Sequence, residues 1–128
     1  MDLQIKIFRW PNHANHVIML ARGTINLEGF TQIFCKVAEI SGPLHNCKIL
    51  IDLLDAKCKL ETGDVDRFFS GLGSARLSDG SKIALICARA NKQYDCLCTI
   101  SASLSKQGFK VAVFEDSNVA AGWLVDIV

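Results

Sequence analysis

The carboxylates are the residues of this chain whose placement most invites a chemical role. Asp52, Asp55 and Asp64 gather around the C-terminal end of an aliphatic segment, Cys47 to Leu53. If that segment is an interior strand, the region beyond its carboxyl end is where open α/β sheets bind ligands. Carboxylates there suit contact with a partner or a cation. The plainer explanation is a set of solvated acids in a loop and at a helix start, exposure being the ordinary state of Asp. Thr62 follows in the same stretch. Its hydroxyl can accept a hydrogen bond from the first free N–H groups of a helix, an N-cap worth roughly 1 kcal/mol.

Other chemistries find no local pattern. His13, His16 and His45 lie in or beside turns, and no spacing sets two of them on one helical face, so they read as surface residues. No Ser occupies Gly-x-Ser-x-Gly, and Gly71-Leu72-Gly73 follows a helix rather than a strand, unlike a phosphate-binding loop. The six cysteines, at 35, 47, 58, 87, 96 and 98, would suit a disulfide framework only in an exported chain. Most sit in apolar-periodic segments, where a free Cys behaves as a small hydrophobe. Cys96 and Cys98, two apart on a helix, diverge and cannot grip one tetrahedral metal. No metal, cofactor or catalytic residue is expected.

Composition narrows the classes further. With 128 residues, half apolar and about a fifth charged, the chain is expected to form one globular domain spanning 1–128. Fourteen basic against thirteen acidic residues leave a formal charge of +1 and no electrostatic footprint for nucleic acid. The longest apolar runs, such as Ile83 to Ala88, are too short to cross a bilayer. The start, Met1-Asp2-Leu3-Gln4, has neither the basic residues nor the apolar core of a signal peptide, which predicts a cytoplasmic protein.

The elements that must position the acids follow from periodicity. Leu3, Ile5 and Ile7 alternate with polar residues up to Arg9, and Trp10-Pro11-Asn12-His13 supplies a turn into a second strand, His16 to Arg22. Gly23 and Asn26 should end it, with Asn26 capping a helix and Glu28 in its first turn. Phe30, Ile33, Phe34, Val37 and Ala38 form one face of that helix, which runs to about Ser41 before Gly42-Pro43. After the strand Cys47 to Leu53 and a loop, Thr62 caps a helix with Val65, Phe68, Phe69 and Leu72 inward. A strand from Lys82 to Ala88 and a helix from about Lys92 to Lys106 come next; Tyr94, Leu97, Cys98, Ser101 and Leu104 lie on the inner side of that helix, and Gly108 closes it. The last strand, Phe109 to Phe114, leads to a helix capped by Asp116 or Ser117, with Val119, Ala120, Trp123 and Leu124 inward.

The order β-β-α-β-α-β-α-β-α implies an α/β fold. It is a single five-stranded mixed sheet, parallel except for the opening hairpin. Both parities of the later strands are apolar, so helices or a partner subunit must cover both faces. Trp10, at the hairpin tip, is free to touch a partner or to cover the sheet edge. Phe68 and Phe69 are adjacent, so one belongs to the core and the other can line a pocket or an oligomer contact.

Three strings in this order resemble the SpoIIAA-like proteins of the STAS-like superfamily, the fold of bacterial anti-sigma-factor antagonists. They are Ala21-Arg22-Gly23-Thr24, Lys48-Ile49-Leu50-Ile51-Asp52-Leu53, and Val113-Phe114-Glu115-Asp116 followed by Ala120 and Trp123-Leu124. The resemblance spans nearly the whole chain and implies a non-catalytic regulatory domain that binds a protein partner such as a kinase or an anti-sigma-type regulator. In the antagonists a helix opens with Asp-Ser-Ser-Gly, whose second Ser is phosphorylated. That tetrad falls here on Leu60-Glu61-Thr62-Gly63: Thr62 takes the phospho-acceptor place and Gly63 matches, whereas Leu60 replaces the Asp and Glu61 sets a fixed negative charge in place of the first Ser. A phosphate on Thr62 would meet the positive end of the helix dipole, with Glu61 and Asp64 repelling it. The implied partner surface comprises Asp52, Asp55, Glu61, Gly63 and Asp64. Some relatives are described as STAS/SEC14-type domains, which implies as the alternative a small apolar ligand in a pocket lined by Phe34, Phe68 or Phe69. A homodimer through an apolar face is compatible with either.

Overall fold

Alternating apolar residues build the opening hairpin. The computed structural model describes residues 4–10, 13–41, 46–61, 63–72, 81–90, 93–106 and 108–125. Strand β1 (Gln4–Trp10) pairs antiparallel with β2 (His13–Ile25), setting Ile5 against Ala21 and Ile7 against Met19. β2 is longer than the sequence suggests at both ends. Gly23 bends it rather than ending it: at φ 98 it adopts a backbone conformation that side chains disfavour, and the strand continues to Ile25.

That bend creates an element the periodicity misses. Before it, β2 pairs in parallel with β3 (Lys48–Asp52), from His16 against Lys48 to Leu20 against Asp52. From Gly23 onward it pairs in parallel with a sixth strand, β4 (Ala56–Cys58), in place of the expected loop. Three residues are too few to display a period, although Ala56 and Cys58 point inward and Lys57 outward. β5 (Lys82–Ile86) and β6 (Lys110–Phe114) extend the sheet in parallel, giving the order β1-β2-β3-β5-β6 with β4 beside β2.

Three helices pack on one face. α1 (Leu27–Ser41), α2 (Asp64–Leu72) and α3 (Tyr94–Lys106) enclose a core that includes Met19, Ile49, Ile51, Ile83 and Leu85 from the strands. Asn26 caps α1 as its residue type predicts, its Oδ1 accepting from Gly29 N–H at 2.9 Å. Gly108, at φ 96, closes α3, with its own N–H donating to Ser105 and that of Phe109 to Leu104. The inner side of α3 is Leu97, Ile100, Ser101 and Leu104; Tyr94 and Cys98, expected inside, are only half-buried. Ser101 is tolerated in the core because its hydroxyl donates to Val111 O at 2.8 Å.

Among the described residues the other face carries one helix, α4 (Ser117–Leu124), over β3, β5 and β6. Of the two proposed caps it is Asp116 that serves, accepting from Asn118 N–H and Val119 N–H. Ala120 and Leu124 pack on Ala84 and Ile86. Val119, expected inward, is 59% exposed, and Trp123 is a partly buried flank rather than core. An eight-residue helix across a sheet gives the sheet one narrow stripe, and residues one step round the turn fall outside it.

Candidate functional site

The bend in β2 brings the beginnings of α1 and α2 together at the carboxyl end of the strands. Lys59 N–H donates to Ile25 O at 2.7 Å, tying the segment after β4 to the residue that ends β2. Leu60 is buried, and its N–H donates to the Gln93 side chain at 3.0 Å just ahead of α3. With the segment pinned on both sides, a polar cleft of about 430 Å³ opens, lined by Asn26, Leu27 and Glu28 at the start of α1 and by Lys59, Glu61, Asp64 and Arg67 at the start of α2.

The charges in this cleft are not spent on one another. Lys59, Glu61 and Arg67 are exposed, and among the described residues neither cation has a carboxylate within ion-pair distance. Asp64 is the exception. Its Oδ2 accepts from Glu61 N–H at 2.8 Å while its own N–H donates to Glu61 O at 2.9 Å, which fixes the turn into α2. Gly63 is exposed, and a Cβ built there would meet nothing, so neither space nor backbone strain reserves the position for glycine. Thr62 lies outside the described residues.

The acids expected to cluster with Asp64 do not all reach it. Asp52 is paired in register with Leu20 and Ile86, which places it on the α4 face, opposite α1 and α2. Its Oδ1 accepts from Leu54 N–H at 2.9 Å in a local turn. Asp55 is exposed in the turn before β4 and does not line the cleft. The cleft instead recruits Lys59 and Arg67, which sequence reasoning missed. The spacing of Asp64 and Arg67, three apart on one helix face, was the available signal for Arg67.

Two of the three aromatic residues assigned to an apolar pocket, Phe34 and Phe68, are packed on each other. Phe30, Phe34 and Phe68 are buried, with ring centroids 5.1, 5.2 and 5.3 Å apart, a tilted and edge-on cluster between α1 and α2. The Phe69 side chain, like those of Trp10, His13 and His45, is outside the described part. His16, in β2, is half-buried and lines a groove beside α4.

Three of the thiols, Cys58, Cys87 and Cys96, are poor nucleophiles. Burial, then the neighbouring Cys87 and Cys96, pushes the Cys58 thiol up to about 12. Burial likewise raises Cys87, with Cys98 adding to it, and raises Cys96, with Asp64 adding to it. Such thiols stay protonated near neutral pH, and the thiolate is the reactive form. All six cysteines are free. Among the described residues no group of three or more His, Cys, Asp or Glu is arranged to hold a metal, and no helix is long and apolar enough to cross a membrane.

No family model and no curated protein matches the chain. Solved structures do. An uncharacterised protein of the DUF3478 family with a SpoIIAA-like fold, from Shewanella loihica PV-4, superposes with a TM-score of 0.56 at 18% identity, covering 95% of this chain and 93% of that one. The fold is therefore SpoIIAA-like, as the three strings imply.

Proposed function

We propose that this chain is a non-catalytic, protein-interaction domain of regulatory type, and that its partner binds at the cleft between α1 and α2. One observation carries the reading: Lys59, Glu61 and Arg67 converge on one cleft at the carboxyl end of the sheet with their charges unpaired among the described residues. A mixed-sign patch of this kind selects a partner of complementary pattern and steers its approach. None of the described residues that line it is a Ser, Cys or His able to act as an activated nucleophile.

Regulation by phosphorylation at Thr62 belongs to the same reading. A phosphate there would add a charge of about −1.5 to −2 to the chain between Glu61 and Gly63, just ahead of α2. Glu61 and Asp64 oppose it, so the modification would change the charge pattern that a partner meets and with it the choice of partner.

The test uses protein purified from its own host. Intact mass is expected to include a species one phosphate heavier, removed by phosphatase and absent in Thr62→Ala. Thr62→Ala and Thr62→Glu should bind the partner with different affinities while melting within a few degrees of wild type. Identical binding by both variants removes the switch, and partner binding insensitive to Arg67→Glu removes the cleft.

A further inference from the structure

The sheet is covered unevenly. Among the described residues on the face opposite α1, α2 and α3, α4 packs chiefly on β3, β5 and β6 rather than on the hairpin. The register fixes what remains on that face: Gln4, Lys6 and Phe8 of β1 stand beside Arg22, Leu20 and Ile18 of β2, and Ile18 stands beside Leu50 of β3. Phe8 is 50% exposed, and Ile18, Leu20 and Leu50 are only half-buried. Two depressions mark the surface. One of about 210 Å³ runs along the flank of α4, with Ile18 and Leu50 as floor and Leu124 and Val125 as wall; the other, of about 90 Å³, lies between Phe8, Leu20, Lys6 and Arg22.

Charge identifies the occupant. The apolar strip is bordered by Lys6 and Arg22 on one side and Lys48 on the other, and among the described residues none of the three has a carboxylate partner. Asp52, the one acid of the described strands on that face, stands beside Leu20 and accepts from Leu54 N–H, so three cations to one acid border the strip. Two copies of this chain facing each other would set cations against cations, so self-association is disfavoured. An anionic membrane would match the charge, but membrane-binding surfaces push apolar side chains outward. Here they line the floor of a groove walled by a helix. A groove between a helix and a sheet fits another helix, lying roughly 8–10 Å from α4.

We propose that the half of this face that no described helix covers, built on Phe8, Ile18, Leu20 and Leu50, is a second docking surface that receives an amphipathic, acidic helix of a partner protein. The helix sets an apolar stripe of i, i+3, i+4 and i+7 residues into the groove and aligns Glu or Asp along its margins with Lys6, Arg22 and Lys48. This surface is separate from the α1–α2 cleft, across the sheet from it, and neither depends on the other.

The experiment is a selection of binders from a random library of 20-residue peptides displayed on a carrier, using the full chain as target. Selected sequences are expected to be helical and net acidic. Their affinity should fall at least tenfold in the sheet-face variants Phe8→Ser and Leu20→Ser, and should weaken steeply between 50 and 500 mM salt. The double variant Lys6→Glu/Arg22→Glu should reject them and accept the same peptides with Glu replaced by Lys. Thermal melts confirm that each variant is folded, and Arg67→Glu, in the other cleft, should leave binding unchanged. Selected peptides that are basic or uncharged, or whose binding ignores both sheet-face substitutions, overturn the proposal. So does a homodimer dissociated by Leu20→Ser, and so does binding of Phe8 and Leu20 to phosphatidylserine vesicles without binding of acidic peptides.

Discussion

Cys58 offers the most direct reading of environment at the scale of a single residue. Its thiol, pushed from 9.0 to about 12 by burial, keeps its proton in the folded chain at pH values where the unfolded chain has lost it. Stability from this group is therefore fully present below pH 9 and is lost as pH climbs from 9 toward 12, at up to about 1.4 kcal/mol per pH unit while the unfolded thiol alone is ionised. Urea titrations at pH 8 and 10.5 should show the decline, with a shallower slope in Cys58→Ala; equal slopes would mean the thiol is more solvated than its burial indicates. Capping is equally local. Asp116→Ala removes the acceptor for Asn118 and Val119 N–H and should cost about 1 kcal/mol of unfolding free energy, measured by denaturant titration. Caps such as Asn26 and Asp116 were legible in the sequence because residue type and the following few positions decide them. Asp52 was not, because the face it occupies depends on strand register.

Among elements, α1 and α2 owe their contact to the Phe30–Phe34–Phe68 cluster. Phe68 is fully buried, so Phe68→Ala should destabilise by about 3–5 kcal/mol in denaturant titration, far more than a cap substitution. A loss below 1 kcal/mol would mean that the space around the rings tolerates rearrangement. The long helices were legible from their 3.6-residue period, and the parallel strands from runs apolar at both parities. The missing element was β4: three residues, paired only because β2 continues past Gly23 in a positive-φ conformation. Gly23 looked like a strand terminator because glycine permits both outcomes. That single ambiguity hid the candidate site, since β4 carries Lys59 to the start of α1.

For the whole molecule, the sequence yielded the architecture more readily than the surface. Mixed pairing, helix order and the SpoIIAA-like fold follow from patterns that survive any local error. Which charges meet in a cleft, and which half of a sheet face α4 leaves open, depend on tertiary geometry that no short string encodes. Thr62 was singled out by resemblance, whereas Lys59 and Arg67 emerge only when two helix starts are brought side by side.

The central claim is that Lys59, Glu61 and Arg67 form the partner surface of a non-catalytic interaction domain. Native mass spectrometry of the tagged chain recovered from its own host tests it most directly, comparing wild type with Arg67→Glu and Glu61→Lys. The account predicts a stoichiometric complex with one protein in wild type, lost in both variants although each melts within about 3 °C of wild type, since exposed substitutions change stability by about 0.5 kcal/mol or less. A complex that survives both reversals, or a wild-type chain that carries only a small molecule lost on denaturation, would contradict it.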